Sequence, residues 1–187
     1  MKIGVIEGSI REGRTGAAVT DWVMEQARAH AAGVEGVEVE RIVLADFDVP
    51  LLTSPTVPGA ANGRYNDERV TAWARAIDAC DAFVFVTPEY NHSVPGAFKN
   101  AFDSLGAEWR DKAVAFVGYG AAGGVRAVEA WRLAVANFNM MGVRTQLDFN
   151  LFTEFDENGL APRERRVDEF SGLMEQLITA ARRIAAA

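Results

Sequence analysis

Residues 82–86 read Ala-Phe-Val-Phe-Val and contain no polar side chain. A strand of this kind is typical of the centre of a parallel sheet, where helices cover both faces. Residues 2–6 and 113–117 repeat the buried-strand pattern. Residues 37–44 alternate apolar with charged side chains, as a half-covered strand does, and residues 143–149 are predicted as the last strand. The sequence therefore predicts five strands.

Helices are predicted between these strands. From Gly16 onward, apolar residues recur at helical spacing with charged residues between them. Further helices are predicted at residues 67–79, after Pro95, at residues 125–141 and at residues 163–186. Five strands alternating with five helices indicate an α/β fold, a doubly wound five-stranded parallel sheet with helices on both faces. No linker or repeat interrupts the series, so residues 1–187 are predicted to form a single domain.

Composition narrows the class of partner. The 187 residues are 49% apolar and 24% charged, as in ordinary globular proteins. The formal net charge of −7 repels nucleic acid and anionic membranes, so neither is expected as a partner. Cys80, the single cysteine, is expected to be a buried structural thiol. With two histidines and no metal-binding motif, no metal is expected, and we predict a soluble cytoplasmic protein.

The first loop, residues 8–16, reads Gly-Ser-Ile-Arg-Glu-Gly-Arg-Thr-Gly and leads into a helix. In doubly wound sheets, ligands bind at the carboxyl ends of the strands, where this loop begins. Free N–H groups, hydroxyls and two arginines at a helix N-terminus suit a phosphate group. The alternative is a polar turn in which Ser9 or Thr15 caps the helix.

The second loop, residues 87–96, reads Thr-Pro-Glu-Tyr-Asn-His-Ser-Val-Pro-Gly. Two prolines stiffen it and Tyr90 places an aromatic ring at its centre. A rigid turn with exposed N–H groups beside such a ring suits a flat heterocycle. A simple strand-to-helix turn with Pro95 at the first helical position remains the alternative.

The third loop, residues 118–124, contains a literal match to G-x-G-x-x-G. The match follows the fourth strand, and Val143 rather than an acid stands 20 residues after Gly123, which disfavours a Rossmann dinucleotide site. We expect a flexible loop that closes over a planar ligand. Tyr119 would either flank the ring or pack at the strand end. Outside these loops, Arg163, Arg165 and Arg166 are expected to form a solvated helix start.

Three segments together resemble the NADPH-dependent FMN reductase family, whose members have a flavodoxin-like fold and include small quinone, azo-dye and chromate reductases. The segments are GSIREGRTG at 8–16, TPEYNHSVPGAFKNAFDSL at 87–105 and FVGYGAAGGVRAVEAWR at 116–132, and LADFDVPLL at 44–52 is also similar. Their order and spacing follow the family from residue 2 to about residue 150. The resemblance implies a flavodoxin-like fold and NAD(P)H-dependent FMN oxidoreductase activity.

The resemblance also implies which residues bind the cofactor. The phosphate of FMN would contact Ser9, Arg11, Arg14, Thr15 and Gly16. The isoalloxazine would be lined, largely through backbone groups, by Pro88, Glu89, Tyr90 and Asn91, and its other edge by Tyr119 and Gly120. Many members have serine at position 14 and asparagine at position 16. Glu7, an acid next to the expected phosphate, would either weaken its binding slightly or point away.

FMN and a hydride donor, NADPH or NADH, are thus the implied cofactors, with electrons passing to a small-molecule acceptor such as a quinone, an azo compound, chromate or free flavin. Because the flavin N5 accepts the hydride, no catalytic side chain is expected. His92 is left open between a proton donor and a solvent-exposed or helix-capping residue. Arg64 and Arg126 are candidates for contact with a 2′-phosphate. Family members usually form dimers or tetramers, which implies a homodimer or homotetramer.

Three other functions fit the same sequence. A one-electron carrier like flavodoxin binds FMN and never meets a nicotinamide. A flavin-binding or interaction module binds FMN without turnover. A nucleotide-binding regulator does not bind FMN at all.

Overall fold

The computed structural model describes residues 1–157 and 159–187. The five long strands are β1 (Lys2–Glu7), β2 (Glu38–Val43), β3 (Ala82–Pro88), β4 (Ala113–Gly120) and β5 (Met141–Asn150). The helices are α1 (Gly16–Ala31), α2 (Glu68–Asp78), α3 (Gly96–Asp103), α4 (Val125–Ala136) and α5 (Arg165–Ala185). A two-stranded antiparallel pair, β6 (Phe155–Asp156) and β7 (Gly159–Leu160), lies between β5 and α5.

The five long strands form one parallel sheet in the order β2-β1-β3-β4-β5. This is the doubly wound order of flavodoxin-like proteins, so the predicted fold class is confirmed. The order of the strands reverses between β1 and β3. Ligands of such sheets bind beside this switch point, at the carboxyl ends of the strands.

Two apolar layers cover the sheet, one on each face. Every residue of β3 is buried, as the apolar run at residues 82–86 predicted for most of its length. Along that strand, Val84 belongs to the layer that contains residues of α1 and α5. Phe83 and Phe85 belong to the opposite layer, with residues of α2, α3 and α4. The side chains alternate between faces because a strand has a period of two residues.

The second layer is rich in aromatic rings. Trp73, Trp109 and Trp131 are fully buried in it. Each indole N–H donates a hydrogen bond: Trp73 to Ala101 O at 2.9 Å, Trp109 to Phe102 O at 3.0 Å, and Trp131 to the Thr87 hydroxyl at 3.1 Å. Burial of these rings therefore leaves no indole donor without a partner.

The predicted helix at 125–141 is wrong at its C-terminal end, since α4 stops at Ala136 and β5 begins at Met141. Asn139 takes a left-handed conformation, with φ of 55°. Its N–H donates to Ala136 O at 3.1 Å, and Met140 N–H donates to Val135 O at 3.3 Å. This pair of bonds is a Schellman motif, which ends a helix even where apolar side chains continue.

A long segment joins β2 to α2 and contains short 3₁₀ helices at Leu44–Phe47 and Pro58–Ala60. The side-chain amide of Asn100, on α3, holds this segment. It accepts from Leu52 N–H at 2.9 Å and donates to Pro50 O at 2.8 Å. Within residues 1–157 and 159–187, no helix is both long and apolar enough to cross a bilayer.

Candidate cofactor-binding site

The first loop leaves β1 at the switch point and begins with Gly8. Gly8 N–H continues the sheet by donating to Val86 O at 2.9 Å. A Cβ at this position would lie 2.2 Å from a ring carbon of Phe98, so only glycine fits. Ser9, the next residue, is 2% exposed, and its hydroxyl lies 3.1 Å from the hydroxyl of Tyr90. The first and second loops are thus joined by a hydrogen bond.

Tyr119 joins the third loop to the first. Its side chain is 5% exposed, and a Cβ built on Gly16 would lie 2.3 Å from its hydroxyl oxygen. The ring therefore packs against the start of α1, beneath the first loop. Burial raises the pKa of the Tyr119 hydroxyl well above its ordinary value of 10, so the group stays neutral.

Glu7, the last residue of β1, is fully buried below the first loop. One carboxylate oxygen accepts from Nε of Arg14, and the other accepts from Nη2 of Arg41 at 2.5 Å. Arg41 also donates to Asp21 at 2.5 Å. Glu7 therefore faces Arg14, not away from it. Arg41 was not singled out from the sequence as a partner of Glu7. The available signal was that Arg41 is a charged residue on β2, the strand that pairs with β1.

Arg11 and Thr15 are exposed on the same loop. Thr15 precedes α1 but makes no side-chain hydrogen bond to the helix. Because Ser9 bonds to Tyr90 and Thr15 does not cap, the capping alternative has no support here. Within the described residues, Arg11 has no hydrogen bond or ion pair.

The second loop contains a tight two-residue turn. Tyr90 and Ser93 exchange two backbone hydrogen bonds, both of 3.0 Å. Asn91 and His92 lie between them with φ of 49° and 66°, the conformation of a type I′ turn. Both side chains are exposed, and Pro95 stands one residue before α3. The turn is closed by two backbone hydrogen bonds, and it presents Asn91 and His92 to solvent.

Glu89 connects the second loop to the third. Its N–H donates to Tyr119 O at 3.1 Å. Its carboxylate accepts from Arg126 N–H at 3.0 Å and from Arg126 Nη1 at 2.6 Å, at the N-terminus of α4. Pro88, just before it, is the last residue of β3 and pairs with Tyr119. Arg126, a candidate for contact with a 2′-phosphate, therefore already forms an ion pair with Glu89.

The third loop is shorter than predicted, because β4 continues through Gly120, which is buried. Gly118 and Tyr119 pair with Asp148 and Phe149 of β5. The turn proper follows, with Gly124 at φ of 80° and no room for a Cβ, which would lie 2.5 Å from Tyr119 N. The glycines serve a close backbone approach rather than a dinucleotide fingerprint.

Arg64, the other candidate for a 2′-phosphate, lies apart from the three loops. It lines a cavity of about 490 Å³ formed by the segment between β2 and α2, the start of α2 and Ser104. Among residues 1–157 and 159–187, no group of three or more His, Cys, Asp or Glu side chains could hold a metal ion.

The fold and these joined loops define a class, the flavodoxin-like α/β proteins that bind a ligand at the switch point of the sheet. The family model of NADPH-dependent FMN reductase matches residues 1–154. The chain therefore belongs to this family.

Curated relatives agree with the family model. An NAD(P)H-dependent FMN reductase of Nectria sp, ntnL, is 38% identical over 128 residues, which cover 67% of this chain and 63% of the relative. A second one, from Schizosaccharomyces pombe, is 36% identical over 123 residues and is covered to 60%. A quinone reductase of Pseudomonas putida is 33% identical over 146 residues, with 74% and 71% coverage. The chain thus spans about three fifths of the length of the first two.

A solved structure shows the same fold. A flavoenzyme NAD(P)H:(acceptor) oxidoreductase from Paracoccus denitrificans, FerB, superimposes with a TM-score of 0.70. The match covers 97% of both chains at 21% identity. At that level of identity, the likeness concerns the fold.

Proposed function

We propose that this protein is an NAD(P)H-dependent oxidoreductase that uses FMN to pass electrons from a reduced nicotinamide to a small acceptor such as a quinone. The observation that carries the proposal is the joining of three loops at one edge of the sheet. Ser9 contacts Tyr90, Gly16 contacts Tyr119, and Glu89 contacts Tyr119. Family membership and the names of the curated relatives support the activity.

The residues at this edge fit the phosphate end of FMN. Arg11 and Thr15 are exposed before a helix of 16 residues, whose N-terminus carries a partial positive charge. Arg14 and the buried hydroxyl of Ser9 lie on the same loop. Gly16 contributes its backbone N–H, and its lack of a side chain leaves room for the Tyr119 hydroxyl.

The second and third loops fit the ring. In our proposal, Pro88, Glu89, Tyr90 and Asn91 line it, and Tyr119 and Gly120 complete the edge. Because the Glu89 carboxylate is bound to Arg126 and the Tyr119 side chain lies under the first loop, these two residues contribute backbone groups. The type I′ turn holds Tyr90 and Asn91 in fixed positions.

Bound FMN supplies the hydride acceptor, and the protein orients the two rings and keeps water out. No acidic or basic side chain is assigned a catalytic role. The exposed His92 stays open between a proton donor and a solvated residue.

Anaerobic absorption spectra of the FMN-loaded protein test this proposal. We expect the visible absorption of FMN to fall within seconds after addition of NADPH or NADH, and to return on addition of a benzoquinone. The faster nucleotide identifies the donor. Binding of FMN without bleaching by either nucleotide would favour an electron carrier or a module without turnover. A protein that does not bind FMN would contradict the proposal and favour a nucleotide-binding regulator.

We propose a homodimer or homotetramer in the cytoplasm. Exposed large apolar side chains support an interface with a second copy, and they include Leu51 (78% exposed), Phe152 (79%) and Leu133 (82%). Light scattering after size-exclusion chromatography tests the oligomeric state, and a monomer at all concentrations would contradict it.

A further inference from the structure

Glu7 is an unusual residue for the floor of an anion-binding loop. It is fully buried, and it stands directly before Gly8 and Ser9. A buried carboxylate that close to a phosphate repels it, and the repulsion is stronger than at an exposed position because screening is weak. A role for Glu7 must therefore outweigh this cost.

Two arginines compensate the buried charge. Arg14 and Arg41 each bond one carboxylate oxygen of Glu7, so two guanidinium groups surround a single carboxylate. Asp21, which binds Arg41 from the solvent side, is 66% exposed, and its charge is screened by water. Burial alone would lower the pKa of Arg41, but its hydrogen bonds to Glu7 and Asp21 outweigh burial and raise it. Arg41 therefore stays charged beside the buried carboxylate, and together the two arginines outnumber it.

The orientation of Arg14 follows from which nitrogen it uses. The Glu7 carboxylate accepts a hydrogen bond from Nε of Arg14. Within the described residues, no group forms a hydrogen bond with the two terminal nitrogens of Arg14. The side chain is 25% exposed, and its two terminal nitrogens are not among the buried atoms that lack a partner, so they are reachable from solvent. Two terminal nitrogens held in a plane match two oxygens of a phosphate, which is the bidentate geometry that arginine provides and lysine does not.

We propose that Glu7 is a positioning residue that orients Arg14 towards the phosphate of FMN and so makes the site discriminate FMN from riboflavin. The inference rests on the proposed function. It runs against simple electrostatics, which says that removal of an acid beside a phosphate tightens binding. If Glu7 positions Arg14, its neutral replacement weakens binding instead.

Fluorescence titrations of the full chain with FMN and with riboflavin separate these two expectations. In Glu7→Gln, we expect the Kd for FMN to rise about tenfold, the cost of one misaligned charge-assisted hydrogen bond. The Kd for riboflavin should stay within about twofold, since riboflavin has no phosphate. In the Glu7→Gln/Arg14→Ala double variant, binding should be no weaker than in Arg14→Ala alone, because Glu7 acts through Arg14.

Asp21→Asn is the matched control, because it removes an acid from the same cluster without touching Arg14. Its affinity for FMN should equal that of the wild type. Arg14→Lys provides a second route if Glu7→Gln does not fold. It keeps the positive charge and loses the planar fork, so discrimination between FMN and riboflavin should fall about tenfold.

Unchanged or tighter FMN binding in Glu7→Gln overturns the inference, and so does an equal loss of FMN and riboflavin. Full discrimination in Arg14→Lys overturns it as well. Wild-type protein that binds neither flavin contradicts the proposed function itself, whereas tight wild-type binding with an unaffected Glu7→Gln contradicts only the role of Glu7.

Discussion

Gly16 and Tyr119 pack closely against each other at the base of the first loop. The hydroxyl of Tyr119 lies where a side chain at position 16 would begin. The family resemblance implies that Gly16 contacts the phosphate, and the sequence leaves Tyr119 open between flanking the ring and packing at the strand end. Their packing against each other could not be predicted, because they belong to different loops and meet only after β1 and β4 have taken their places in the sheet.

Gly16→Ala should lower the free energy of unfolding by about 2 kcal/mol, because the new methyl group overlaps a buried hydroxyl. Adding Tyr119→Phe should recover part of the loss, since the nearest ring atom then lies 3.1 Å from the Cβ. Urea denaturation of both single variants and the double variant measures this. Gly172→Ala is the control: this glycine is in α5 and meets open space, so alanine should stabilise by up to about 1 kcal/mol. No loss in Gly16→Ala would contradict the packing argument.

At the scale of elements, the sequence predicts strands better than their ends. The apolar runs at β1, β3 and β4 identify buried strands, because a strand that is covered on both faces carries apolar side chains along its whole length. The end of α4 and the β6–β7 pair have no such signal. Asn139 ends the helix by a backbone conformation, and strands of two residues are too short for a period to show.

Glu89 connects two elements of the site, because its carboxylate joins the second loop to the start of α4. Glu89→Ala should lower the free energy of unfolding by about 1–2 kcal/mol, because α4 loses a charged cap and Arg126 its partner. It should also weaken FMN binding, because the second loop loses its anchor. Thermal unfolding and an FMN titration measure the two effects.

Glu129→Ala is the control for this prediction. Glu129 is exposed on the same helix and lies 3.6 Å from Arg132, so its loss should change stability by less than about 0.5 kcal/mol. Equal stability of the two variants would show that Glu89 does not cap α4.

At the scale of the whole molecule, a buried ion cluster ties the last part of the chain to the sheet. Arg166, on α5, is 6% exposed and binds Glu154, which is 2% exposed, at 2.8 Å. It also donates to Glu169 and to Asp148 O on β5. The expectation of a solvated helix start is wrong for Arg166. The side chain points inward to Glu154, which no helical or strand period marks as buried.

Stability should fall in acid partly through this cluster. The hydrogen bond from Arg166 holds the pKa of Glu154 below its ordinary value of 4.5. A group with a lowered folded pKa stabilises the protein above its unfolded pKa and ceases to do so as the pH falls through the folded value. Glu154→Gln should therefore cost about 3 kcal/mol at pH 7, and the difference from wild type should shrink below pH 4.5.

Urea denaturation across pH 3 to 7 tests this, with Glu175→Gln as the control, because Glu175 is an exposed glutamate on α5, the helix that carries Arg166. The control should follow the wild type at every pH. A deficit in Glu154→Gln that is independent of pH would mean that the glutamate acts through its shape rather than its charge.

The distribution of the four tryptophans makes the two faces of the sheet optically different. Three of them lie in the layer beside α2, α3 and α4, so the ultraviolet emission of the protein reports chiefly on that layer. The fourth, Trp22, packs edge-on against Phe149 and Phe170 in the opposite layer. A chain without Trp22 would emit from one face alone, and a difference between its unfolding curve and that of the wild type would show that the two halves of the core loosen in succession rather than together.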